Sequence, residues 1–498
     1  MDEERKSFMK RRQRYGERAV AEEGKKKRLS NQEIVLVTYV FLILFLIMIA
    51  FLAYFMYKKA PSYVNNPYNA NRQAILEERY TRGDILSADR QVLATTVEED
   101  GAEKRYYPYG EIFAHIVGYN GRGTSGIEQM ENSSLLSSHN NPVEMFTNEL
   151  LEKKNKGDMV VTTLLTDVQE AAFDGLGEMK GAVVAIEPST GKIIAMVSKP
   201  CFDPNYISEI WDEIVSEEHS SEAVLVNRAS QGLYPPASTF KIVTLLELLR
   251  ENPAMAEKFS YNCEGVYTEG QWSIKCAHDA EHGEQNLSEA FANSCNGAFV
   301  AIGRQLSFRN VYRLCDDLGF NSPLPTAFPS SRSRFTLKDD GDIGTVMQTS
   351  IGQGETLVTP LHMALIMSAI ANKGKVMEPY VVDHVVSSQG NQVSSNSPRQ
   401  WRRMMSEEEA DQLSDYLRAA VTDGTGSAAQ GEGYNVYGKT GTAEFNSSGD
   451  THAWFVGYAE RTANTPELVV CVLVENGQSG GDIAAPICRK VMDAYFGR

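Results

Sequence analysis

The chain has 498 residues, a formal net charge of -17 and 42% hydrophobic residues. This length and apolar content allow large buried cores and roughly two to four domains of about 150 residues each. The acidic balance, together with the lack of a basic stripe or an aromatic RNA-binding pattern, excludes nucleic acid as an expected partner.

The N-terminal residues form the first predicted elements, a basic arm and a membrane anchor. Residues 1–30 contain 11 Lys or Arg against 6 Asp or Glu, and residues 34–57 carry no charged side chain over 24 positions. An apolar helix of about 20 residues spans a bilayer, and its basic flank stays in the cytoplasm. We therefore expect a cytoplasmic arm at 1–33, a single transmembrane helix at 34–57 and an extracytoplasmic remainder. The apolar run exceeds the roughly 7 to 15 residues of a cleavable signal, so the anchor is expected to be retained.

Residues 58–157 are predicted to form a linker and a small pedestal domain. The stretch "APSYVNNPYNANRQ" is rich in Pro and Asn, which is typical of a linker. From residue 72 to about 157, short apolar runs alternate with turn signals, as in "TRGDILSADRQVLATT" and "IFAHIVGYNGRGTSGIEQ". Such runs, separated by Gly and Asp, predict a mixed domain of short elements.

Residues 158–498 are predicted to form one larger α+β domain. The stretch "GAVVAIEPSTGKIIAMVSK" contains two strands joined by a Pro-Ser-Thr-Gly turn, which predicts an antiparallel hairpin. Helical patterns dominate from about 235 to 375, and strands return in "YNVYGKTGTAEF", "HAWFVGYAE" and "ELVVCVLVEN" before a short C-terminal helix. A sheet divided in sequence by a helical insert is an α+β arrangement. We therefore expect an antiparallel sheet flanked by helices, with a helical subdomain.

The segment "LYPPASTFKIVTLLELL" contains a candidate nucleophile, Ser238. Its S-x-x-K spacing is weak evidence, because the chain has three such pairs, Ser7/Lys10, Ser189/Lys192 and Ser238/Lys241. Only the last begins a helical pattern, in which residues three apart share a face, so Lys241 can reach Ser238. Pro235 and Pro236 stop the helix from extending backward and place Ser238 in its first turn. The free N–H groups there favour a developing anion.

A serine of this kind needs a base, and lysine is protonated at neutral pH because its ordinary pKa is about 10.4. Desolvation or a second cation must therefore lower the pKa of Lys241. The stretch "GKTGTAE" offers Lys439 as that cation, with Gly438 and Gly441 permitting close approach of another backbone. A third polar element, "SCN", begins at Ser294 in a helical pattern between the two.

The ordered set of Ser-x-x-Lys, Ser-x-Asn and Lys-Thr-Gly resembles the signature of penicillin-binding transpeptidases and serine β-lactamases. Further stretches resemble class B penicillin-binding proteins, among them "RGDILSADRQVLA", "YYPYGEIFAHIVGY", "GTSGIEQMENSSL", "YPPASTFK" and "IGQGETLVTPLHMA". The resemblance covers roughly residues 72 to 490. It implies a dimerisation-like pedestal and the penicillin-binding transpeptidase fold, in an enzyme of a bacterial cell membrane.

The resemblance also implies a role for each catalytic residue. Ser238 would be the acylated nucleophile, and Lys241 would be the base for its acylation. Ser294 would relay a proton towards the leaving amine. Lys439 would lower the local proton affinity and attract the substrate carboxylate.

The substrate-binding residues implied by the resemblance lie in the same motifs. Asn296 would hold the substrate amide. Thr440 and Thr442, on either side of Gly441, would bind the substrate carboxylate through their hydroxyls. The N–H groups of Ser238 and Thr442 would form an oxyanion hole, a feature that stabilises the transition state.

The implied reaction is acyl transfer between peptidoglycan stem peptides, carried on lipid-linked or nascent glycan, and β-lactams would trap the same serine. About 100 residues separate the anchor from the transpeptidase, too few for a glycosyltransferase domain. Polymerisation would then come from a membrane partner of the SEDS glycosyltransferase family. Two alternatives are a D,D-carboxypeptidase or β-lactamase-like hydrolase, and a β-lactam sensor that is not an enzyme.

A cysteine and histidine cluster gives a separate prediction. Cys263, Cys276, His278, His282 and Cys295 fall within 33 residues, and tetrahedral zinc binds such side chains in structural sites. A Cys263–Cys276 disulfide is an alternative outside the membrane, and free thiols are another. Some elongation-type relatives hold a zinc beside the Ser-x-Asn helix. This resemblance implies Cys263, Cys276, His282 and Cys295 as ligands of a structural zinc; the chemistry itself requires no cofactor.

Overall fold

The computed structural model describes residues 2–56, 70–216, 222–339, 341–444, 450–463 and 465–498. The described chain divides into two compact units, residues 1–69 and residues 70–498.

The N-terminal unit contains one long helix, Asp2–Tyr54. Its segment Glu33–Tyr54 has 22 residues and a mean hydropathy of 3.1, so it is long and apolar enough to cross a membrane. The predicted apolar anchor is thus helical up to Tyr54. Its last residue, Tyr57, and most of the predicted linker lie outside the described residues.

The second unit begins with the helix Ala70–Arg79, so the end of the predicted linker stretch, 70–73, is helical. The pedestal is built around a six-stranded sheet. In spatial order its strands are Gln392–Ser395, Val382–Val386, Met159–Thr162, Ile85–Leu86, Val92–Glu99 and Ala102–Tyr106. This sheet therefore includes strands from both sides of residue 158. Short strands Tyr80–Thr81 and Asn155–Lys156 pair in parallel nearby.

The pedestal also contains the helices Ala114–Val117, Gly126–Met130, Asn132–Leu135 and Pro142–Leu150. A buried ion cluster ties these elements to the sheet. The Glu128 carboxylate, fully buried, accepts from Arg82 Nε at 2.6 Å and from Arg105 Nε at 2.7 Å. Burial raises the pKa of Glu128, but the two guanidinium groups outweigh it and lower the pKa below its ordinary value. The carboxylate thus stays charged and joins its helix to the strand of Arg105 and to the loop of Arg82.

The larger domain is built on a five-stranded antiparallel sheet. Its strands, in spatial order, are Ile193–Lys199, Gly181–Ile186, Leu468–Val474, Thr451–Glu460 and Asn435–Glu444. The first two form the predicted antiparallel hairpin, which is confirmed. The strand Asn435–Glu444, called the edge strand below, carries the Lys-Thr-Gly motif. Among the described residues it pairs on one side only.

Helices cover both faces of this sheet, because alternate residues of each buried strand point to opposite sides. Val183 and Ala185 face one core with the helices Thr166–Leu176 and Ala485–Phe496. Val184 and Ile186 face the other core, which holds the helical insert. The α+β class is confirmed by this arrangement. The main helices of the insert are Lys241–Glu251, Leu287–Ala292, Asn296–Gly303, Phe308–Leu318, Ile343–Ser350, Pro360–Ala371 and Glu407–Thr422.

Small elements complete the insert. Helices Ile207–Ile214 and Pro253–Lys258 are short. Strands Ser260–Cys263 and Gly283–Asn286 pair antiparallel, as do Val266–Glu269 and Trp272–Lys275, and Lys375–Met377 and Gln400–Arg403. The first two pairs bring the cysteine and histidine residues next to the Ser-x-Asn segment.

Candidate active site

Ser238 lies in a tight turn that leads into a buried helix. Residues Ala237–Phe240 form a 3₁₀ turn, and the α-helix Lys241–Glu251 follows at once. The predicted helix start is therefore confirmed, with a 3₁₀ first turn. Ser238 is half-buried, whereas Ala237 and Phe240 on either side of it are fully buried. Ser238 thus borders the cleft, while the buried side chains next to it hold its turn in place.

The backbone before Ser238 has an unusual conformation. Ala237 has φ +49°, a left-handed value that non-glycine residues rarely adopt. Its N–H donates to the Gly352 carbonyl at 2.9 Å. A Cβ on Gly352 would lie 2.1 Å from the Ala237 carbonyl oxygen, so only glycine permits this contact. Strain of this kind persists where the surrounding structure enforces it, and it is common at functional sites.

Lys241 is fully buried and is held by the Ser-x-Asn segment. Its Nζ donates to the Ser294 carbonyl at 2.7 Å and to Asn296 Oδ1 at 2.7 Å, and it lies 3.3 Å from Ser294 Oγ. Ser294 itself has φ +56°. The Asn296 amide Nδ2 donates to the Lys275 carbonyl at 2.8 Å. The Lys241 amine therefore links the Ser-x-x-Lys motif to the Ser-x-Asn motif.

Burial is the main cause that lowers the pKa of Lys241, to about 7. The side chain lies 5.4 Å from the centre of the Phe299 ring. The prediction named desolvation or a second cation, and desolvation is the cause that dominates. Lys439 is also fully buried, and its pKa is lowered by burial first and by the charge of Lys241 second. Two lysines thus share one low-dielectric region in which both protons are weakly held.

The edge strand forms one wall of the site. Gly441 permits the close approach that its motif predicted, because a Cβ there would lie 3.2 Å from the Pro236 carbonyl oxygen. Trp454 Nε1, on the neighbouring strand, donates to the Pro235 carbonyl at 3.0 Å. These contacts hold the strand against the turn that carries Ser238.

Two threonines of the edge strand have polar neighbours that the motifs did not indicate. Thr440 Oγ1 lies 2.5 Å from Thr425 Oγ1, and Thr442 Oγ1 accepts from the Gly480 N–H at 3.4 Å. Thr425 belongs to a turn, "TDGTG", whose Gly424 packs against the Ala292 carbonyl. In the sequence, only the spacing of its glycines indicates this turn. That spacing does not predict that the turn lies beside the edge strand.

A cleft of about 350 Å³ opens over Ser238. Six of the eight residues implied as catalytic or substrate-binding line it: Ser238, Ser294, Asn296, Thr440, Gly441 and Thr442. The other two, Lys241 and Lys439, are buried behind these residues. His278, Gln353 and Asp482 also line the cleft without having been indicated for it by sequence.

The cysteine and histidine cluster lies directly beside this cleft. Cys263 Sγ is 3.6 Å from Cys276 Sγ, Cys276 Sγ is 3.8 Å from Cys295 Sγ, and Cys263 Sγ is 3.4 Å from His282 Nδ1. The four ligand atoms lie within 4.8 Å of one another. The thiols are free, so the alternative of a Cys263–Cys276 disulfide is not observed.

These distances fit a tetrahedral metal site. With zinc–sulfur bonds of about 2.3 Å, the sulfur atoms of a tetrahedron lie roughly 3.8 Å apart. A hydrogen bond from Cys295 lowers the pKa of Cys276 to about 4, while the shared proton raises the pKa of Cys295. His278 is exposed and faces the cleft instead of the cluster. The four residues implied as zinc ligands, Cys263, Cys276, His282 and Cys295, therefore converge.

Gln285 connects this cluster to the cleft. The residue is only 3% exposed, and its Oε1 accepts from Asn293 Nδ2 at 3.1 Å. Its Nε2 is buried and has no hydrogen-bond partner among the described residues, and the side chain lies beside the Cys295 thiol. An N–H group in this place can stabilise a thiolate, as outer groups around metal ligands do.

The chain is similar to known proteins and solved structures. Residues 181–493 match the family model described as the penicillin binding protein transpeptidase domain, and residues 82–160 match the one described as the penicillin binding protein A dimerisation domain. The peptidoglycan D,D-transpeptidase PbpA of Mycolicibacterium smegmatis is 32% identical over 458 residues, which cover 85% of this chain and 91% of that protein.

Solved structures show the same similarity. A ceftriaxone acyl-enzyme complex of penicillin-binding protein A from M. tuberculosis is 30% identical, with a TM-score of 0.76, and the match covers 84% of this chain and 99% of that one. A D,D-transpeptidase domain from Eggerthella lenta is also 30% identical, with a TM-score of 0.74 and coverages of 84% and 99%.

Proposed function

The chain belongs to the penicillin-binding protein transpeptidase family, and we propose that Ser238 is its catalytic serine. It is a peptidoglycan D,D-transpeptidase that β-lactams acylate. The observation that carries this assignment is the position of Ser238, half-buried in the cleft and three residues before a fully buried lysine amine.

Acylation begins with attack of Ser238 Oγ on the carbonyl carbon between the two terminal D-alanines of a stem peptide. The proton of the hydroxyl passes to the neutral amine of Lys241. The carbonyl oxygen becomes an oxyanion that accepts from the backbone N–H groups of Ser238 and Thr442. Preformed donors of this kind are typically worth about 3 to 4 kcal/mol of activation energy.

Collapse of the tetrahedral intermediate breaks the C–N bond and releases D-alanine. The leaving nitrogen needs a proton, and Ser294 Oγ, 3.3 Å from Lys241 Nζ, supplies it while Lys241 returns the proton to Ser294. In the second half, an amine of a neighbouring stem attacks the ester. Its excess proton returns through the same residues to Ser238 Oγ, so the enzyme is regenerated and one crosslink is made.

Substrate orientation comes from the edge strand. The terminal carboxylate binds the Thr440 and Thr442 hydroxyls. Lys439 attracts the carboxylate when its amine is protonated, a state that the negative charge of the bound carboxylate favours. Asn296 holds the amide of the donor peptide. Because the edge strand is unpaired on the cleft side among the described residues, a substrate backbone can align along it as an added strand.

The proposed activity is tested with the full chain, a D-alanyl thioester donor and an amino acceptor. Aminolysis of the acyl-enzyme, measured as acceptor-dependent product, supports transpeptidation. Rapid hydrolysis without aminolysis would instead indicate a carboxypeptidase or β-lactamase-like hydrolase. Stable acylation with neither product would indicate a sensor.

We also propose the membrane arrangement of the chain. The basic arm stays in the cytoplasm, and the helix ending at Tyr54 crosses the membrane once and leaves the catalytic domain outside. A SEDS-family glycosyltransferase then supplies the nascent glycan and contacts the anchor. Crosslinking from the anchor in cells should recover a polytopic polymerase. If no membrane protein is recovered, the proposed contact with a SEDS-family glycosyltransferase is wrong.

The cysteine and histidine cluster is proposed to hold a structural Zn²⁺ through Cys263, Cys276, His282 and Cys295. The support is the spacing of the four ligand atoms, which all lie within 4.8 Å of one another. When bound, the ion supplies a fixed crosslink and no reaction step. Cys295 lies between Ser294 and Asn296, so the ligands hold the segment that positions Lys241.

Metal analysis of the full chain is expected to find one zinc per chain. Cys263→Ser and His282→Ala should lose the metal and lower the unfolding temperature by several degrees, because the folded state loses a bound ligand. Cys201→Ser, at a half-buried thiol outside the cluster, should retain both. A metal-free chain whose mass is two protons low would contradict the zinc proposal and indicate a disulfide.

A further inference from the structure

Gln353 lines the cleft and contacts the last residue of the edge strand, Glu444. With its amide oriented to satisfy both groups, Gln353 Nε2 donates to the Glu444 carbonyl at 3.2 Å, and its Oε1 accepts from the Glu444 N–H at 3.2 Å. A neighbouring antiparallel strand would make the same two bonds to this residue. The side chain therefore occupies one position of an added strand.

The loop that carries Gln353 is fixed to the turn of the proposed nucleophile. The Gln353 N–H donates to the Gln348 carbonyl at 2.9 Å, and the Gly352 carbonyl accepts from the Ala237 N–H at 2.9 Å. Gly352 and Gly354, on either side of Gln353, have φ +75° and +80°, values that glycine adopts readily. The half-buried amide is thus held against the strand by a well-bonded loop.

The pair at Glu444 shows which residues of the edge strand face the cleft. In an antiparallel ladder, the N–H and carbonyl of one residue point to one side, and those of the next residue point to the other side. The register with the neighbouring strand runs without a shift. The backbone groups of Thr442 and Thr440 therefore point to the same open side as those of Glu444.

Only one of these three positions has both backbone groups available on that side. The Thr440 carbonyl accepts from Lys439 Nζ at 3.3 Å, and Glu444 is paired with Gln353. Within the described parts of the chain, the Thr442 N–H and carbonyl have no partner on the open side. The edge strand thus offers a substrate one complete hydrogen-bonded pair, at Thr442.

The proposed reaction determines which donor residue uses this pair. The terminal carboxylate lies at the hydroxyls of Thr440 and Thr442, and the attacked carbonyl accepts from the Thr442 N–H, so the penultimate D-alanine lies opposite Thr442. An antiparallel donor chain then runs towards Glu444. Because strands alternate with a period of two, the donor residue two positions upstream would lie opposite Glu444. The Gln353 amide already occupies that position.

We propose that Gln353 is a specificity-determining residue that ends strand-like recognition of the donor at Thr442. The enzyme then recognises the terminal D-alanyl-D-alanine by backbone pairing and makes no such pair with the residues upstream. A second cavity of about 840 Å³ has Gln353, Thr442 and Glu444 in its wall, so the upstream residues have space to leave the strand. This inference rests on the proposed function, which sets the orientation of the donor.

The test compares two thioester donors, using the full chain and one amino acceptor. Both donors end in a D-alanyl thioester. The short donor carries only an N-acetyl group upstream, and the long donor carries an N-acetyl-L-alanyl-L-alanyl segment. The nitrogen of the first alanine would donate to the Glu444 carbonyl if that position were open. Because Gln353 closes it, N-methylation of this nitrogen should change the KM of the unchanged chain less than about two-fold.

Replacing Gln353 with alanine should open the pair at Glu444. The KM of the long donor, relative to that of the short donor, is then expected to fall about three- to ten-fold, the effect of one or two added hydrogen bonds. The ratio of the two kcat values should stay the same, because binding that is equal in the ground state and the transition state changes KM alone. N-methylation of the long donor should cancel the gain.

Gln305→Ala is the matched control. Gln305 is exposed and lies outside both cavities, and its amide also donates to a backbone carbonyl, that of Ala301 at 3.3 Å. This variant should keep the KM ratio of the unchanged chain. Labelling of each variant by a fluorescent penicillin shows that its catalytic domain is folded.

Two results would overturn the role of Gln353 alone. One is an unchanged KM ratio in Gln353→Ala, which would leave the side chain as a support of the strand end. The other is a several-fold rise in the KM of the unchanged chain on N-methylation of the long donor, because the pair at Glu444 would then be in use. Turnover of neither donor by the unchanged chain would contradict the proposed function, and this inference with it.

Discussion

Replacing Ser238 with alanine is expected to abolish covalent labelling of the full chain by a fluorescent penicillin. The methyl group has no oxygen to form the acyl ester, and nucleophilic catalysis needs that atom. We expect labelling to fall below detection, at least about 10³-fold under the unchanged chain, as seen when serine nucleophiles are removed. Gel fluorescence after a fixed incubation, with mass spectrometry of the intact chain, measures the loss.

The chain contains its own control for this variant. Ser189 and Lys192 repeat the same spacing in the turn of the antiparallel hairpin, outside the cleft. Ser189→Ala should therefore label at the unchanged rate. The Ser238→Ala chain should also keep its unfolding temperature, because the hydroxyl is half-buried and its loss changes stability by less than about 0.5 kcal/mol. Undiminished labelling of Ser238→Ala would show that another residue is acylated.

Replacing Lys241 with methionine is expected to slow acylation by roughly 10²- to 10⁴-fold, the usual contribution of a general base. Methionine has a similar length and suits the apolar surroundings, so the cleft should keep its shape. Stopped-flow acylation by a chromogenic β-lactam gives the rate constant. Lys192→Met, which removes a partly exposed lysine paired with Asp383 at 3.0 Å, is the matched control and should change the rate less than two-fold.

The pH dependence distinguishes a base from a merely structural lysine. Burial lowers the pKa of Lys241 to about 7, so the amine is protonated below this pH and free to accept a proton above it. The acylation rate of the unchanged chain should therefore rise through about pH 7 and level off above pH 8. Lys241→Met should lose this rise. A flat profile of the unchanged chain would contradict the role of Lys241 as base.

The position of Cys295 links the catalytic segment to the cysteine and histidine cluster. Ser294 and Asn296, its chain neighbours, both contact the Lys241 amine. Cys295 Sγ is in turn 3.8 Å from Cys276 Sγ. Because the thiol and the two contacting residues share one short segment, an ion that fixes the thiol also fixes the partners of the amine. Metal removal is therefore expected to affect the acylation rate as well as stability.

Much of the architecture could be predicted from local pattern. The hairpin at 181–199 follows from two β-branched runs and a turn, and the turn at Ser238 follows from the two prolines before it. The motifs at Ser294 and Lys439 could be found by order and residue type. Each of these features depends on residues that are close together in the chain, so each can be predicted from a short stretch of sequence.

Other features could not be predicted in this way. Thr425 had no motif, because its role depends on a 2.5 Å contact with Thr440 across the fold. The helix Pro142–Leu150 exposes Val143, Phe146 and Leu150 to solvent, although an amphipathic helix usually turns its apolar side to the core. The direction of a helix face is set by the elements it packs against, and these are distant in sequence.

The sequence by itself determined the class of fold, the anchor pattern, the residue types of the three motifs and a set of thiols and imidazoles able to bind a metal. Only the tertiary structure decided that four of those side chains converge without a disulfide. It also decided that burial, more than a second cation, lowers the pKa of Lys241. The physical reason is that local pattern depends on neighbours along the chain. Desolvation and ligand geometry depend instead on atoms a few ångströms away that folding brings from distant segments.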